Sequence, residues 1–125
     1  MSAEWKELCR DAEIAVRGNE IDVSCGPSRH QRVYVDDTDP QVVRLWSIVV
    51  TRGAAEHLHE VALQAWKMNR FRELVRFKIA EYGRMIGECW VPMTGISANE
   101  WRTYVNILAR ACDRLESLWS GRDSE

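Results

Sequence analysis

The stretch Phe71–Met93, FRELVRFKIAEYGRMIGECWVPM, reads as a β-hairpin turning at Tyr82-Gly83, and the rest of the chain is placed by what packs against it. Val75, Phe77 and Ile79 alternate with Arg76, Lys78 and Ala80. Beyond the turn, Met85, Gly87, Cys89 and Val91 alternate with Ile86, Glu88 and Trp90. A three-residue loop, Glu81-Tyr82-Gly83, with Gly83 left-handed, fixes the register. Ile79 then faces Met85, Phe77 faces Gly87, Val75 faces Cys89, and Arg76 opposes Glu88 on the other side. Large side chains meet small ones and opposite charges meet, whereas a slip of one residue would mix the faces.

Upstream, Val42–Arg52 is the most apolar run. Val43, Leu45, Ser47 and Val49 share one face; Arg44, Trp46, Ile48 and Val50 share the other. Such a strand is central and covered on both sides, or it meets another chain. Two earlier segments alternate more cleanly. Glu20–Cys25 turns Ile21, Val23 and Cys25 inward, and Arg32–Asp36 turns Val33 and Val35 inward with Tyr34 outward. The short Gly26-Pro27-Ser28 connection makes these two antiparallel neighbours.

Three helices complete the pattern. Ser2–Arg17 carries the stripe Trp5, Leu8, Cys9, Ala12, Val16 and ends at Gly18-Asn19. Gly53–Met68 carries Leu58, Val61, Ala62, Ala65 and Met68, closed by Asn69. The last begins at a capping box, Ser97-Ala98-Asn99-Glu100, with Ile96 and Trp101 set for a hydrophobic staple. It runs to about Ser120 along Trp101, Tyr104, Val105, Leu108, Cys112, Leu115 and Trp119. The predicted order is α-β-β-β-α-β-β-α. This is an α+β fold, with a five-stranded antiparallel sheet and helices on one face.

At 125 residues a single domain spanning 1–125 is expected. A net charge of −2 argues against nonspecific nucleic-acid binding, which needs a basic surface. No run approaches a membrane span. Cys9, Cys25, Cys89 and Cys112 form no Cys-x-x-Cys pair; buried thiols in a reducing cytoplasm fit them better than two disulfides in a secreted domain. The charged opening MSAEWKELCRDAE lacks the apolar run of a leader, so a cytoplasmic protein is expected.

RVYVDD, VVRLWSIVV with its polar Ser47, the helix ending in Asn69, RFKIAEYGRMIGECWVPM and the SANEW helix start together resemble the YbjN family. Members of that family share the fold of the class I type III secretion chaperones. The resemblance spans roughly residues 2–120 and rests on pattern and element order. It implies a homodimer that binds an extended, non-globular client segment through apolar patches. It carries over no binding residue and no catalytic one.

The residues themselves offer little chemistry. His57 and His59 are two apart on a helix and diverge, a poor metal pair. Asp36, Asp37 and Asp39 lack the glycine and distal glutamate of a calcium loop. No glycine-rich phosphate loop and no nucleophile–base spacing is present, so neither enzyme activity, metal nor cofactor is expected. Arg70, Arg72, Arg76, Lys78 and Arg84 form a basic cluster that suits an acidic partner or a solvated sheet face. Strand parity puts Arg44, Trp46, Ile48, Val50, Arg76, Ile86, Glu88 and Trp90 on the sheet face away from the helices. Aromatic residues among arginines are interface composition. The expected function is a chaperone-like module that binds itself and a peptide or protein client. The rival readings are a small-molecule binder or enzyme with a pocket between helices and sheet, and a scaffold subunit of a heteromer.

Overall fold

A computed structural model describes residues 4–27, 29–50, 74–80 and 84–120, with the side chains of 4, 50 and 118–120 outside the description. The predicted helix at 53–68 and the hairpin loop at 81–83 lie outside these residues. The described elements are helix α1 (Glu4–Asp11) and strands β1 (Ala15–Arg17), β2 (Glu20–Gly26), β3 (Arg29–Asp36), β4 (Val42–Val50), β5 (Arg76–Ile79) and β6 (Met85–Pro92). Helix α2 (Ala98–Ser120) follows. The strands form one antiparallel sheet in the order β1-β2-β3-β4-β6-β5. The architecture is α+β as expected, with six strands in place of five.

The extra strand corrects the reading of the N-terminal helix, which ends at Asp11 instead of running to Arg17. Glu13 takes a left-handed conformation, φ 59°. The Ile14 N–H then bonds back to the Cys9 carbonyl at 2.8 Å and the Glu13 N–H to the Arg10 carbonyl at 3.1 Å. These two bonds are a Schellman stop, usually marked by glycine and here made by a glutamate. Trp5, Cys9 and Ala12 are buried as the stripe requires, but Val16 sits on β1 and is exposed. Gly18-Asn19 becomes a two-residue hairpin loop with Arg17 opposite Glu20. Gly18, at φ 61°, is the first loop residue, where type II′ turns place glycine.

The hairpin register is as read: Arg76↔Glu88, Phe77↔Gly87, Lys78↔Ile86 and Ile79↔Met85. The Ala80 N–H reaches the Arg84 carbonyl at 2.6 Å across its open end. Ile79 departs from expectation. Alternation places it on the inner face, yet it is 50% exposed at the strand end.

Helix α2 lies along the inner face. The capping box forms, with the Ser97 N–H donating to Glu100 Oε1 at 2.9 Å and the Glu100 N–H to Ser97 Oγ at 3.1 Å. Trp101, Val105, Leu108, Cys112 and Leu115 are buried against Ile21, Val33, Leu45, Cys89 and Val91. Helix and sheet approach closely at Gly87. A Cβ there would lie 2.5 Å from Cys112 Sγ and 3.1 Å from Phe77 Cε1. Helix α1 docks on α2 through Trp5 and Trp101, whose rings lie 6.1 Å apart, and the Trp101 indole N–H points at Cys9 Sγ at 3.0 Å.

Ser47, the polar residue within apolar β4, is explained by Gln31. The β3–β4 ladder covers Tyr34↔Trp46 to Asp36↔Arg44. Further along, side chains bridge the strands. Gln31 Nε2 donates to Ser47 Oγ at 2.8 Å and to the Ile48 carbonyl at 3.0 Å, and Ser47 Oγ donates to the Arg32 carbonyl at 2.7 Å. Gln31 and Ser47 are the buried polar residues of the described core, and they satisfy each other.

Candidate functional site

The outer sheet face is built by the other parity of β3, β4, β6 and β5. Two ladders set its geometry. Arg44 lies opposite Trp90, Trp46 opposite Glu88, and Ile48 opposite Ile86 along β4–β6. Arg76 and Lys78 flank from β5.

An ion cluster sits at the centre. Glu88 Oε2 accepts from Arg44 Nε at 2.6 Å, and Glu88 Oε1 lies 3.2 Å from Lys78 Nζ. Arg76 is opposite Glu88 in register, yet the short contact comes from Lys78, the diagonal neighbour. Burial pushes the Glu88 carboxyl up, and the hydrogen bonds from Arg44 and Lys78 outweigh this and hold it below the usual glutamate range. Arg44 also spans toward the Trp46 ring, its guanidinium carbon 5.7 Å from the centroid. Trp46 stacks in turn on Tyr34 at 4.4 Å and 23°.

The predicted surface residues therefore fall into three environments. Arg44, Trp46 and Glu88 are half-buried in an interlocked group. Trp90 stands open, 55% exposed, beside Arg44, with exposed Val42 two residues along β4. Ile86 does not contribute exposed surface: it is 3% exposed, between Ile48 and Lys78 in the ladder. Ile48 is half-buried and Arg76 exposed. A register shift between Ile48 and Val50 pairs Val50 with Met85, so simple alternation does not extend to it. The sequence reading missed Tyr34 as a member of this group. Alternation turns Tyr34 outward, but the β3–β4 register that stacks it on Trp46 depends on the 37–41 loop.

A cavity of about 440 Å³ opens at the hairpin end of this face, lined by Arg44, Trp46, Lys78, Ile79, Arg84 and Ile86. Its charged lining is cationic, with Glu88 already engaged by two of the three cations.

Other sequence candidates are structural. Asp36 accepts from the Thr38 N–H and hydroxyl, Asp39 from the Gln41 N–H, and Asp37 from the Trp5 indole at 2.9 Å. The acidic loop thus spends its carboxylates on turns and on anchoring α1. No group of three or more metal-type side chains occurs among the described residues. The cysteines are unpaired thiols; burial pushes Cys89 up to about 11 and Cys112 up to about 12. His57, His59, Arg70 and Arg72 lie outside the described residues. No helix among the described residues is long and apolar enough to cross a membrane.

No protein family and no curated protein matches the sequence. Solved structures do. The chain is similar to YbjN of E. coli, a proposed transcription regulator, at TM-score 0.58 and 11% identity over 95% of this chain and 87% of that one. It is similar also to the Yersinia pestis type III secretion chaperone SycH, solved in complex with a stable fragment of YscM2. There the TM-score is 0.53 and the identity 11% over 91% of this chain and 98% of that one. The chain has the fold these two proteins share.

Proposed function

We propose that this chain is a non-enzymatic, chaperone-like binding module that acts as a homodimer and holds an extended segment of a client protein on the outer face of its sheet. The observation that carries this reading is Trp90, a large aromatic side chain left 55% exposed on a strand beside Arg44 and the Trp46–Tyr34 stack. Exposed tryptophan next to arginine is the composition of binding hot spots. The surrounding ion cluster holds its neighbours in place, which lowers the ordering entropy a partner must overcome. A secretion chaperone of this fold bound to a protein fragment supports the class of partner. The expectation of a dimer rests on the sequence resemblance.

The test is binding of the purified protein to an array of short unstructured peptides, with sedimentation velocity alongside. Wild-type protein is expected to sediment as a dimer and to bind a subset of peptides. Trp90→Ser should stay folded and lose most of that signal. Equal peptide binding by both proteins would remove the outer face from consideration, and a monomeric wild type would remove the dimer.

A further inference from the structure

The cavity at the hairpin end of the outer face has a feature that peptide binding in general does not need. Three cations, Arg44, Lys78 and Arg84, line it. Glu88 faces two of them and has one oxygen on each, Oε2 to Arg44 and Oε1 to Lys78. The third, Arg84, has its Nε–H buried without a hydrogen-bond partner. A guanidinium donor withdrawn from water and left unpaired is disfavoured, and an incoming acceptor relieves it. The site also has a fixed frame: the Arg84 carbonyl takes the Ala80 N–H at 2.6 Å, holding the strand ends beside the cavity. Its remaining walls, Trp46, Ile79 and Ile86, are apolar. Cations on an apolar floor complement a carboxylate flanked by apolar groups.

We propose that this cavity is a carboxylate-accepting subsite for an acidic side chain of an extended peptide, with Arg84 as the anchoring cation. The proposal rests on the reading of the outer face as a peptide-binding surface and adds which peptides it selects. An extended segment presents residues an even number of positions apart on the same side. A segment with a carboxylate and an apolar residue an even number of positions apart would seat the carboxylate at Arg84 while the apolar residue reaches Trp90 along the same face.

The experiment measures fluorescence polarisation of a labelled extended peptide carrying glutamate and leucine an even number of positions apart, separated by serine, and of its counterpart with glutamine for glutamate. The full chain is used, as wild type and as Arg84→Gln, Lys78→Gln and Trp90→Ser. One charge-assisted contact at a desolvated arginine corresponds to about tenfold in affinity, so the glutamate peptide should bind about tenfold tighter than the glutamine peptide. Arg84→Gln should erase that preference, and Trp90→Ser should weaken both peptides equally. Lys78→Gln should narrow the preference by a smaller factor, and it carries the test if Arg84→Gln fails to fold by circular dichroism. If both peptides bind wild type equally and Trp90→Ser weakens both, the outer-face reading stands and the subsite falls. If neither peptide binds, the subsite falls with it. Displacement of the glutamate peptide by inorganic phosphate or oligouridylate at equal charge concentration would also overturn the assignment, leaving an anion site without peptide selection.

Discussion

The two faces of the sheet are made by the same strands, one residue out of step, and they solve opposite problems. The inner face is closed: Ile21, Val33, Leu45 and Val91 are fully buried under α2, and the buried polar pair among the described residues, Gln31 and Ser47, is self-satisfied. The outer face is held together by charge and ring stacking around Glu88 and Trp46, and it leaves Trp90 in solvent. Apolar burial fixes which way the strands face, since a slip of one residue would exchange the faces. The outer parity is then free of that burial constraint.

The largest effect is expected from the inner face. Trp101 is fully buried, lies against Trp5 and donates to Cys9 Sγ at 3.0 Å. Trp101→Ala should destabilise the protein by about 3–5 kcal/mol, measured by urea unfolding. A loss below about 1 kcal/mol, in the range of surface changes, would mean that α1 and α2 are not locked as described.

Gly87→Ala comes next. Its Cβ would lie 2.5 Å from Cys112 Sγ, too close for the helix to stay where it is, and overpacking of this kind costs about 1–3 kcal/mol. Adding Cys112→Ala removes the clashing sulfur. The double variant should be more stable than the sum of the two single changes implies. Strict additivity would show that the Phe77 ring, not the helix, sets the limit.

On the outer face the corresponding change is Glu88→Gln, which leaves Arg44 and Lys78 without their shared carboxylate. Because the pair is only half-buried, a loss of about 1–2 kcal/mol is expected at neutral pH. The sign with pH follows from the direction of the shift. The folded carboxyl is held below its ordinary value by Arg44 and Lys78, against the push of burial. Its contribution is therefore fully present above the ordinary glutamate range and is lost as pH falls through the lower folded value. Wild type and Glu88→Gln should differ at neutral pH and converge in acid. A gap that persists unchanged in acid would show that the carboxylate charge is not what stabilises the cluster.

Much of this contrast is legible in the sequence, for identifiable reasons. Period-two alternation with opposite charges at Arg76 and Glu88 sets the hairpin register, and the Ser97–Glu100 box sets the start of α2, because both signals are local. The end of α1 is not legible. Glu13 adopts a left-handed conformation that the sequence marks with no glycine, so the apolar spacing runs on through Val16 and conceals β1. On the outer face, parity places Arg44, Trp46, Glu88 and Trp90 together, but parity alone does not separate the exposed Trp90 from the buried Ile86. Nor does it reveal that Lys78, diagonal to Glu88, makes the contact assigned to Arg76. Diagonal contacts and cover depend on sheet twist and side-chain reach, which one-dimensional spacing does not carry.

The smallest effect on stability belongs to Trp90. Being 55% exposed, it has little burial to lose, and Trp90→Ser should leave unfolding within about 0.5 kcal/mol of wild type. Trp46→Ser, on the same face, removes a ring that stacks on Tyr34 at 4.4 Å and lies beside Arg44, and should cost about 1 kcal/mol more. Two tryptophans two rows apart on one sheet face thus make a controlled pair, one built into the fold and one outside it. If urea unfolding shows Trp90→Ser to be as damaging as Trp46→Ser, Trp90 is a packing residue. Its exposure would then no longer argue for a partner.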